Sequence, residues 1–351
     1  MLTFFMFWIK GKKNYLQDNF TKCRMKYLVT GGCGFIGSNF IHRCFEQRRN
    51  VEIINLDAML TGSNPMNLHN LNNTHYRFVK GNICDRKLVE KLVSQVDCVI
   101  NFAAESHVDR SISDPNPFIQ SNILGVYSIL ESIRRHKVKF LQISTDEVYG
   151  EILKGSYFEH DTLHPSNPYS ATKASAEMLV QSYAKTYDLD VKITRCCNNF
   201  GPRQFPEKLI PKAIICALKK EPIPIHGNGS AKRQWIHVFD HCDAILQILS
   251  HWGKSLIYNI PGNYETTNMK LVKNILGFFD KYPNSIVYVK DRPGQDRRYN
   301  IKSKILSSEI GFKPKIKFEN ALETTICWYL ENKKLWEHLS FKTIKNPTPW
   351  L

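Results

Sequence analysis

The sequence has no apolar run long enough to form a membrane-spanning helix. The run LTFFMFWI near the N-terminus is about eight residues long, whereas a helix that spans a bilayer needs roughly 20. No basic segment precedes this run and no small-residue cleavage site follows it, so we expect no signal peptide and no membrane partner. The ten cysteines form no CxxC pair, which favours free thiols, no bound metal and a reducing, cytoplasmic location.

The chain also lacks internal repeats, low-complexity segments and any basic stripe interleaved with aromatic residues. Its net charge is +16, but the Lys and Arg residues are distributed along all 351 residues. Clustering of basic residues, rather than net charge alone, indicates a nucleic-acid interface, so we expect no nucleic-acid partner. An anionic nucleotide ligand explains a basic chain equally well.

From Met25 to about residue 200, segments typical of strands alternate with segments typical of helices. Continuous apolar strands separated by helices are typical of a parallel sheet that is covered on both faces. With right-handed crossovers this pattern predicts an α/β fold, a Rossmann-like doubly wound parallel sheet. The predicted strands are Lys26–Thr30, Val51–Leu56, Tyr76–Lys80, Asp97–Phe102, Val138–Ser144 and Val191–Thr194, and the predicted helices are Ile36–Arg49, Asp85–Ser94, Phe118–His136 and Pro168–Tyr187.

Three glycines follow the first predicted strand at a spacing typical of a dinucleotide-binding turn. Gly31 permits a tight turn, Gly34 lets the backbone approach a pyrophosphate, and Gly37 lets the helix pack closely on the strand. The helix that begins near Phe35 directs its positive end at the phosphates. Asp57 ends the second strand, where a carboxylate accepts from a ribose 2′-hydroxyl and repels a 2′-phosphate, so the sequence favours NAD over NADP.

The alternation weakens beyond residue 200, where prolines become frequent. We therefore predict an NAD-binding Rossmann domain at residues 25–200 and a smaller C-terminal substrate-binding lobe at residues 201–351, from which segments can return to the main sheet. Residues 1–24 precede the pattern. We interpret them as a poorly ordered extension or as an incorrectly assigned start.

Tyr169 and Lys173 form a Tyr-x-x-x-Lys pair in a predicted helix, and a spacing of four places both side chains on one face. An ammonium group beside a phenol stabilises the phenolate, so we expect Lys173 to lower the pKa of Tyr169 from its usual value of about 10. The phenolate would then accept a proton from a sugar hydroxyl while NAD accepts the hydride.

Thr145, Asp146 and Glu147 lie where a predicted central strand ends, which is where open α/β sheets carry catalytic groups. Thr145 is suited to hydrogen-bond the reacting hydroxyl. Hydride transfer needs neither acid, whereas elimination of water needs an acid for the departing hydroxyl and a base for a carbon-bound proton. Two carboxyl groups in different surroundings can divide these roles. The alternative interpretation is a pair of solvent-exposed acids at a strand end.

Five segments resemble the dTDP-glucose 4,6-dehydratases of the extended short-chain dehydrogenase/reductase superfamily. They occur in that family's order and extend over most of the chain from Met25. The TDE tripeptide is the most specific part, because related epimerases and decarboxylases usually lack this acid pair. The segments are FAAESHVDRSI (Phe102–Ile112), STDEVYG (Ser144–Gly150), NPYSATKASAE (Asn167–Glu177), CNNFGPRQFPEKLIP (Cys197–Pro211) and DRPGQDRRY (Asp291–Tyr299).

This resemblance implies a role for individual residues. Asp146 is implied as the acid, Glu147 as the base, Tyr169 and Lys173 as the oxidation pair, and Thr145 as the residue that orients the hexose. Besides the three glycines, the residues implied to contact NAD are Phe35, Ile36, Asp57, Asn82, Ile83, Ala103, Ala104, Ser121, Tyr169, Lys173 and Asn199. Those implied to contact a nucleotide-sugar substrate, dTDP-glucose, are Ser106, Thr145, Asn198, Lys208, Leu209, Pro224, His226, Arg233, Asp291, Arg292 and Gln295.

Three positions depart from the family pattern. Asn82 stands where the family usually has an aspartate near the adenine, His226 where it has a tyrosine near the base, and Gln295 where it has a histidine near the phosphates. These departures leave the nucleotide, dTDP or UDP, more open than the chemistry. The alternatives are a UDP-sugar epimerase or decarboxylase of the same superfamily and a non-catalytic NAD-binding regulatory protein. The family also implies a homodimer.

Overall fold

The computed structural model describes residues 24–279, 285–344 and 348–351, so the predicted N-terminal extension, apart from Arg24, lies outside the described residues. The strands of the described chain are β1 Met25–Thr30, β2 Val51–Asp57, β3 Tyr76–Lys80, β4 Cys98–Asn101, β5 Lys139–Thr145, β6 Val191–Cys196, β7 Asn198–Phe200, β8 Ile223–His226, β9 Lys232–His237, β10 Ile257–Ile260, β11 Tyr264–Thr267 and β12 Ile286–Val289.

The main sheet has seven parallel strands in the order β10–β6–β5–β4–β1–β2–β3. Neighbouring residues of a strand pack on opposite faces of the sheet. Leu28 belongs to the apolar cluster on one face and Val29 to the cluster on the other. This alternation explains why the strands read as continuous apolar runs, since both faces are covered. The predicted Rossmann-like sheet is confirmed.

Some of the described helices cover both faces of this sheet, and others pack in a third apolar cluster formed by the second half of the chain. These helices are α1 Phe35–Gln47, α2 Arg86–Val93, α3 Val108–Ser113, α4 Gly125–His136, α5 Pro168–Tyr187, α6 Leu209–Lys219, α7 Val238–His251, α8 Asn268–Gly277, α9 Phe318–Glu331 and α10 Lys333–Ile344. Helix α5 begins at a capping box, in which the Ser170 N–H donates to Asn167 Oδ1 at 2.9 Å and the Asn167 N–H donates to Ser170 Oγ at 3.2 Å.

The predicted helix over Phe118–His136 is present as an uninterrupted helical segment, but it contains a π-helical turn that the sequence did not indicate. A helical turn at Asn116–Phe118 leads into a π-helical turn at Ile119–Leu124, and α4 follows. The buried Asn122 side chain accepts from the Glu105 N–H and donates to the Glu105 carbonyl and to Thr172 Oγ1. These bonds hold the Asn122 side chain against Glu105, in the loop that follows β4. The π-helical turn is wider than an α-helical turn and accommodates them.

The second half of the chain contributes to the main sheet as well as to smaller sheets. Strand β10 pairs in parallel with β6, and α7 packs against α1. Strands β11, β9 and β7 form a three-stranded sheet, and β12 pairs with β8 in a two-stranded sheet. The division of ligand-binding roles at residue 200 stays a prediction.

The order of the main sheet reverses between β1 and β4, the neighbours from which the chain runs in opposite directions. A crevice for a ligand forms at such a point, beyond the carboxyl ends of the strands. The loops after β1, β4 and β5 all end at this edge, and they carry the sequence motifs described above. Among the described helices, none has the length and apolar character needed to cross a membrane.

Candidate active site

A cavity of about 280 Å³ lies at the carboxyl edge of β1, β2, β4 and β5. It is lined by every residue that the sequence predicts for NAD, together with Thr145 and Ser106. We call it the cofactor cavity. The predicted residues that line it are Gly31, Gly34, Phe35, Ile36, Gly37, Asp57, Asn82, Ile83, Ala103, Ala104, Ser121, Tyr169, Lys173 and Asn199.

The glycine turn fits a pyrophosphate. Gly31 has a φ of +68°, and a Cβ there would lie 2.6 Å from the Ala103 nitrogen. A Cβ on Gly37 would lie 2.4 Å from the Gly31 carbonyl oxygen, so both positions require glycine. The α1 N-terminus has no side-chain cap at Gly34 and no acidic residue in its first turn. Its first N–H groups therefore face the cavity and suit an anion.

Asp57 is buried at the end of β2 and is already a strong acceptor. The Cys33 N–H donates to Asp57 Oδ2 at 2.9 Å, and the Met59 N–H and Ser63 Oγ each donate to Oδ1 at 2.8 Å. These bonds fix the carboxylate beside the glycine turn. A fixed, buried carboxylate fits a ribose diol and opposes a phosphate at the same place.

Tyr169 and Lys173 both line the cofactor cavity on one face of α5. Lys173 Nζ donates to the Ile143 carbonyl at 2.6 Å, and burial lowers the pKa of Lys173 to about 8. The predicted lowering of the Tyr169 pKa is wrong. Burial, with the negative charge of Glu147, raises the pKa of Tyr169 well above 10. Desolvation of the phenolate outweighs a cation that is held by a backbone carbonyl.

The three residues after β5 form a connected unit. Thr145 Oγ1 donates to Asp146 Oδ1 at 3.3 Å and accepts from the Glu147 N–H at 3.3 Å, at the start of a 3₁₀ turn, Asp146–Tyr149. Glu147 lines the cofactor cavity and the substrate cavity described below. Asp146 is not among the lining residues of either cavity. It is buried behind Thr145, and its Oδ2 atom has no hydrogen-bond partner among the described residues.

The surroundings of the two carboxyl groups differ. Burial and the neighbouring Glu147 raise the pKa of Asp146 from 3.8 to about 8, so that this acid holds its proton at neutral pH. Burial also raises the pKa of Glu147, but Arg233, Lys208 and Arg292 oppose that rise. The negative charges of both acids contribute to the raised pKa of Tyr169, which places the acids and the phenol in one site. One neutral acid and one cation-supported carboxylate can divide acid and base roles.

A second cavity, of about 830 Å³, extends from Glu147 into the second half of the chain. We call it the substrate cavity. Except for Ser106 and Thr145, which line the cofactor cavity, all the residues predicted to contact substrate line it. They are Asn198, Lys208, Leu209, Pro224, His226, Arg233, Asp291, Arg292 and Gln295.

Arginine and lysine side chains give the substrate cavity a cationic region. Arg233 is buried, donates to the Lys232 and Asp296 carbonyls at 2.8 and 2.9 Å, and lies 4.3 Å over the Tyr299 ring. Arg292 pairs with the buried Asp109 of α3. Lys208 Nζ donates to the Ser106 carbonyl at 2.7 Å. Fixed cations that retain free donors are suited to a diphosphate.

His107 and Lys212 line the substrate cavity, although neither was predicted from the sequence to contact substrate. Burial lowers the pKa of both side chains, and the cations Lys208 and Lys212 lower the pKa of His107 further. Lys212 follows Lys208 by four residues at the start of α6. Helical spacing could therefore have indicated that both side chains lie on one face. His107 lies within a recognised segment, but its orientation depends on contacts that the sequence does not display.

The two cavities share a wall. Six residues line both of them: Glu147, Asn198, Asn199, Gln204, Glu207 and Lys208. The predicted acid–base residue Glu147 thus lies at the point where a ligand of one cavity meets a ligand of the other. This arrangement suits a reaction in which a cofactor and a second molecule exchange a hydride.

Comparison with known proteins agrees with this geometry. Residues 28–325 match the family model described as GDP-mannose 4,6 dehydratase. The low-salt glycan biosynthesis protein Agl12 of Haloferax volcanii is 45% identical over 308 residues, which cover 87% of this chain and 99% of that protein. A dTDP-glucose 4,6-dehydratase of Xanthomonas campestris pv. campestris is 42% identical, with 88% and 93% coverage.

A solved structure is similar over almost the same region. It is DesIV, a dTDP-glucose 4,6-dehydratase from Streptomyces venezuelae with NAD and TYD bound, with a TM-score of 0.88 and 39% identity. The match covers 90% of this chain and all of that chain. Fold, sequence and site geometry therefore indicate the same family.

Proposed function

The chain belongs to the GDP-mannose 4,6 dehydratase family, and on this basis we propose that it removes water from the hexose of dTDP-glucose. The proposed product is the dTDP-4-keto-6-deoxy sugar, and the proposed cofactor is NAD. The enzyme is thus a hydro-lyase, because the oxidation and the reduction of the same sugar leave no net redox change. The observation that carries the proposal is the adjacent pair of a buried Asp146 and a half-buried Glu147 beside Tyr169 and Lys173.

The cofactor cavity supplies the groups that would hold NAD. The α1 N-terminus and Gly34 would hold the pyrophosphate, Asp57 the ribose diol, and Asn82 and Ile83 the adenine. A bound NAD would supply the hydride acceptor for C4 of the glucosyl unit and the hydride donor for C6.

The protein's own residues carry the proton transfers. Tyr169 takes the proton of the C4 hydroxyl as the C4 ketone forms. The ketone acidifies the C5–H bond, Glu147 removes that proton, and Asp146 protonates the C6 oxygen, which leaves as water. Glu147 then returns its proton to C5 as C6 is reduced. Thr145 is bonded to Asp146 and lines the cofactor cavity, so it connects the buried acid to the reacting sugar. Burial raises the pKa of Tyr169 well above 10, so a positive charge beside the phenol would be needed for it to act as a base.

The substrate cavity suits a molecule with a diphosphate between two rings. Arg233, Lys208 and Arg292 provide the cationic region, and Glu147 lies where the hexose would meet the nicotinamide. The electrostatic effect of these cations on Glu147 also keeps this base ionised more readily than burial alone would allow.

Incubation with dTDP-glucose, followed by mass spectrometry, tests this function. We expect a product lighter by one water, with no net change in NAD. A UDP-sugar epimerase would instead change the configuration of a UDP-sugar at unchanged mass, and a decarboxylase would release carbon dioxide. A protein that retains NAD but converts no nucleotide-sugar would point to the regulatory alternative and would overturn the proposal.

We also propose that the protein is a cytoplasmic homodimer. Ile119, Leu124 and Met178 are exposed apolar residues on the segment before α4 and on α5, and a second subunit that covered them would bury apolar surface. The described cysteines are free and mostly buried, as expected in a reducing compartment. The molecular mass in solution, with Met178→Glu as a variant that should dissociate a dimer, tests the assembly.

A further inference from the structure

The last described residues contact one residue that lines the substrate cavity, His226, and one on α3, Ser113. In the segment Thr348–Leu351, which we call the tail, the Trp350 ring lies edge-on to the His226 ring, with centroids 5.5 Å apart and planes at 76°. The Pro349 carbonyl accepts from Ser113 Oγ at 3.0 Å. A turn in which the Leu351 N–H donates to the Thr348 carbonyl at 3.1 Å shapes the tail between these two contacts.

These two contacts come from different parts of the fold. Ser113 is the last residue of α3, the helix on which Asp109 holds Arg292. His226 ends β8 in the two-stranded sheet and lines the substrate cavity. The tail therefore connects the helix behind the cationic region with the wall that contains His226. It lies beyond residues 28–325, where the family match ends.

The wall around His226 is a part of the substrate cavity that suits a planar ring. Glu147 marks the reacting end, and Arg233, Lys208 and Arg292 act electrostatically on it from nearby. Pro224 and His226 belong to the separate β8–β12 sheet and present a cyclic and an aromatic side chain. A substrate with the order hexose, diphosphate and nucleoside would then place its base at this wall.

Trp350 itself is not among the residues that line the substrate cavity. Its Nε1 atom is buried and has no hydrogen-bond partner among the described residues. The indole therefore acts through its ring contact with His226 rather than by a hydrogen bond. Aromatic pairs prefer this edge-to-face arrangement, which restricts the orientation of both rings.

We propose that Trp350 is a positioning residue for nucleotide specificity: it fixes the His226 ring against which the base of the substrate stacks. The inference rests on the proposed function, since it assumes a nucleotide in the substrate cavity. It assigns the tail a role in substrate affinity and none in the chemical steps.

The test compares Trp350→Ala, Trp350→Phe and the control Leu351→Ala, which alters an exposed tail residue away from the ring contact. KM and kcat for dTDP-glucose and inhibition constants for dTDP and for pyrophosphate are measured. For Trp350→Ala we expect KM and the dTDP constant to rise about threefold to tenfold, the range that an aromatic pair supplies. We expect kcat and the pyrophosphate constant to stay unchanged, because pyrophosphate has no base.

Two further results are required. Trp350→Phe should retain the affinity of the unaltered chain, since Phe keeps a ring and the lost N–H has no partner. In a His226→Ala background, Trp350→Ala should add no further loss. Unchanged dTDP affinity in Trp350→Ala, an equal loss of pyrophosphate affinity, or additive losses in the double variant would each overturn the inference. If the unaltered chain binds no dTDP, the proposed function fails and the inference fails with it.

Discussion

Asp146 is a carboxyl group that the fold keeps neutral. It is buried, it lies next to a second acid, and one of its oxygens has no partner among the described residues, so its pKa is about 8. Glu147 is half-buried, and three cations favour its charged form. Two adjacent residues of the same chemical type therefore have opposite proton states available at neutral pH.

Replacing either acid with its amide should separate the stages of the reaction. Asp146→Asn removes the proton donor and Glu147→Gln removes the base, so each should slow water loss by roughly 10²- to 10⁴-fold. Oxidation at C4 needs neither group, and reduced nicotinamide should therefore accumulate with dTDP-glucose. Absorbance of the reduced cofactor and mass spectrometry of the product measure the two stages. Full activity in both variants would remove these residues from the mechanism.

The pH dependence of water loss should reflect the proton on Asp146. The acid is neutral below its pKa and ionised above it, so the elimination rate should fall as pH rises through about 8. Lys173 loses its charge in the same range, which affects the oxidation stage. The two stages are therefore measured separately, by single-turnover kinetics. An elimination rate that stays level well above pH 8 would assign the acid role to another group.

Part of this site could be predicted from the sequence, and part of it could not. Gly31, Gly37 and the pair Tyr169–Lys173 act through local spacing, so their places could be predicted. The electrostatics could not, because a pKa depends on burial by residues distant in sequence. Lys173 was expected to lower the pKa of Tyr169, but burial and the charge of Glu147 raise it.

At the scale of the element, helix α5 presents the oxidation pair. Tyr169 lies in its first turn, immediately after the capping box of Asn167 and Ser170, and Lys173 lies one turn further. The cap thus fixes the end of the helix at which chemistry occurs. The sequence predicted α5 with the bounds that the structure shows, Pro168 to Tyr187. It did not indicate the π-helical turn at Ile119–Leu124, which depends on the distant Glu105 and Thr172.

Asn167→Ala should therefore reduce both stability and turnover. Loss of an N-cap costs about 1 kcal/mol of unfolding free energy, and fraying of the first turn displaces Tyr169. Urea unfolding and kcat measure the two effects. Asp85→Ala is the matched control, because Asp85 caps α2 through Leu88 and lines neither cavity. It should show a similar stability loss with normal kcat at saturating NAD. If both variants lose kcat equally, the cap has no special relation to the chemistry.

At the scale of the whole molecule, the two halves of the chain share one core. Val29 and Ile41 pack in the same cluster as Ile245 and Ile248 of α7. Arg43 of α1 forms a bidentate pair with Asp243, at 2.8 and 2.9 Å. Local patterns predicted the first six strands of the sheet, but β10 is too short and too distant in sequence for its place beside β6 to be predicted.

Residues 25–200 alone should not form a stable domain. This fragment would lack β10 and α7, which exposes the edge of β6 and the apolar surface of α1. We expect it to aggregate or to lack a cooperative unfolding transition, whereas the full chain should unfold in one main transition. Circular dichroism during heating compares the two. A fragment that unfolds cooperatively and binds NAD would show that the halves are independent.

The buried carboxyl of Asp146 has a consequence for the durability of the protein in alkaline solution. In an unfolded chain this side chain would ionise near 3.8, whereas in the native fold it does so near 8. The native state therefore holds an extra proton between these values, and its advantage over the unfolded state declines as pH rises through that window. Asp146→Asn, which cannot ionise, should flatten this decline and melt at a higher temperature at pH 8. The loss is complete above about pH 8, so a group retained for catalysis makes the fold less stable in neutral and alkaline solution than in acid.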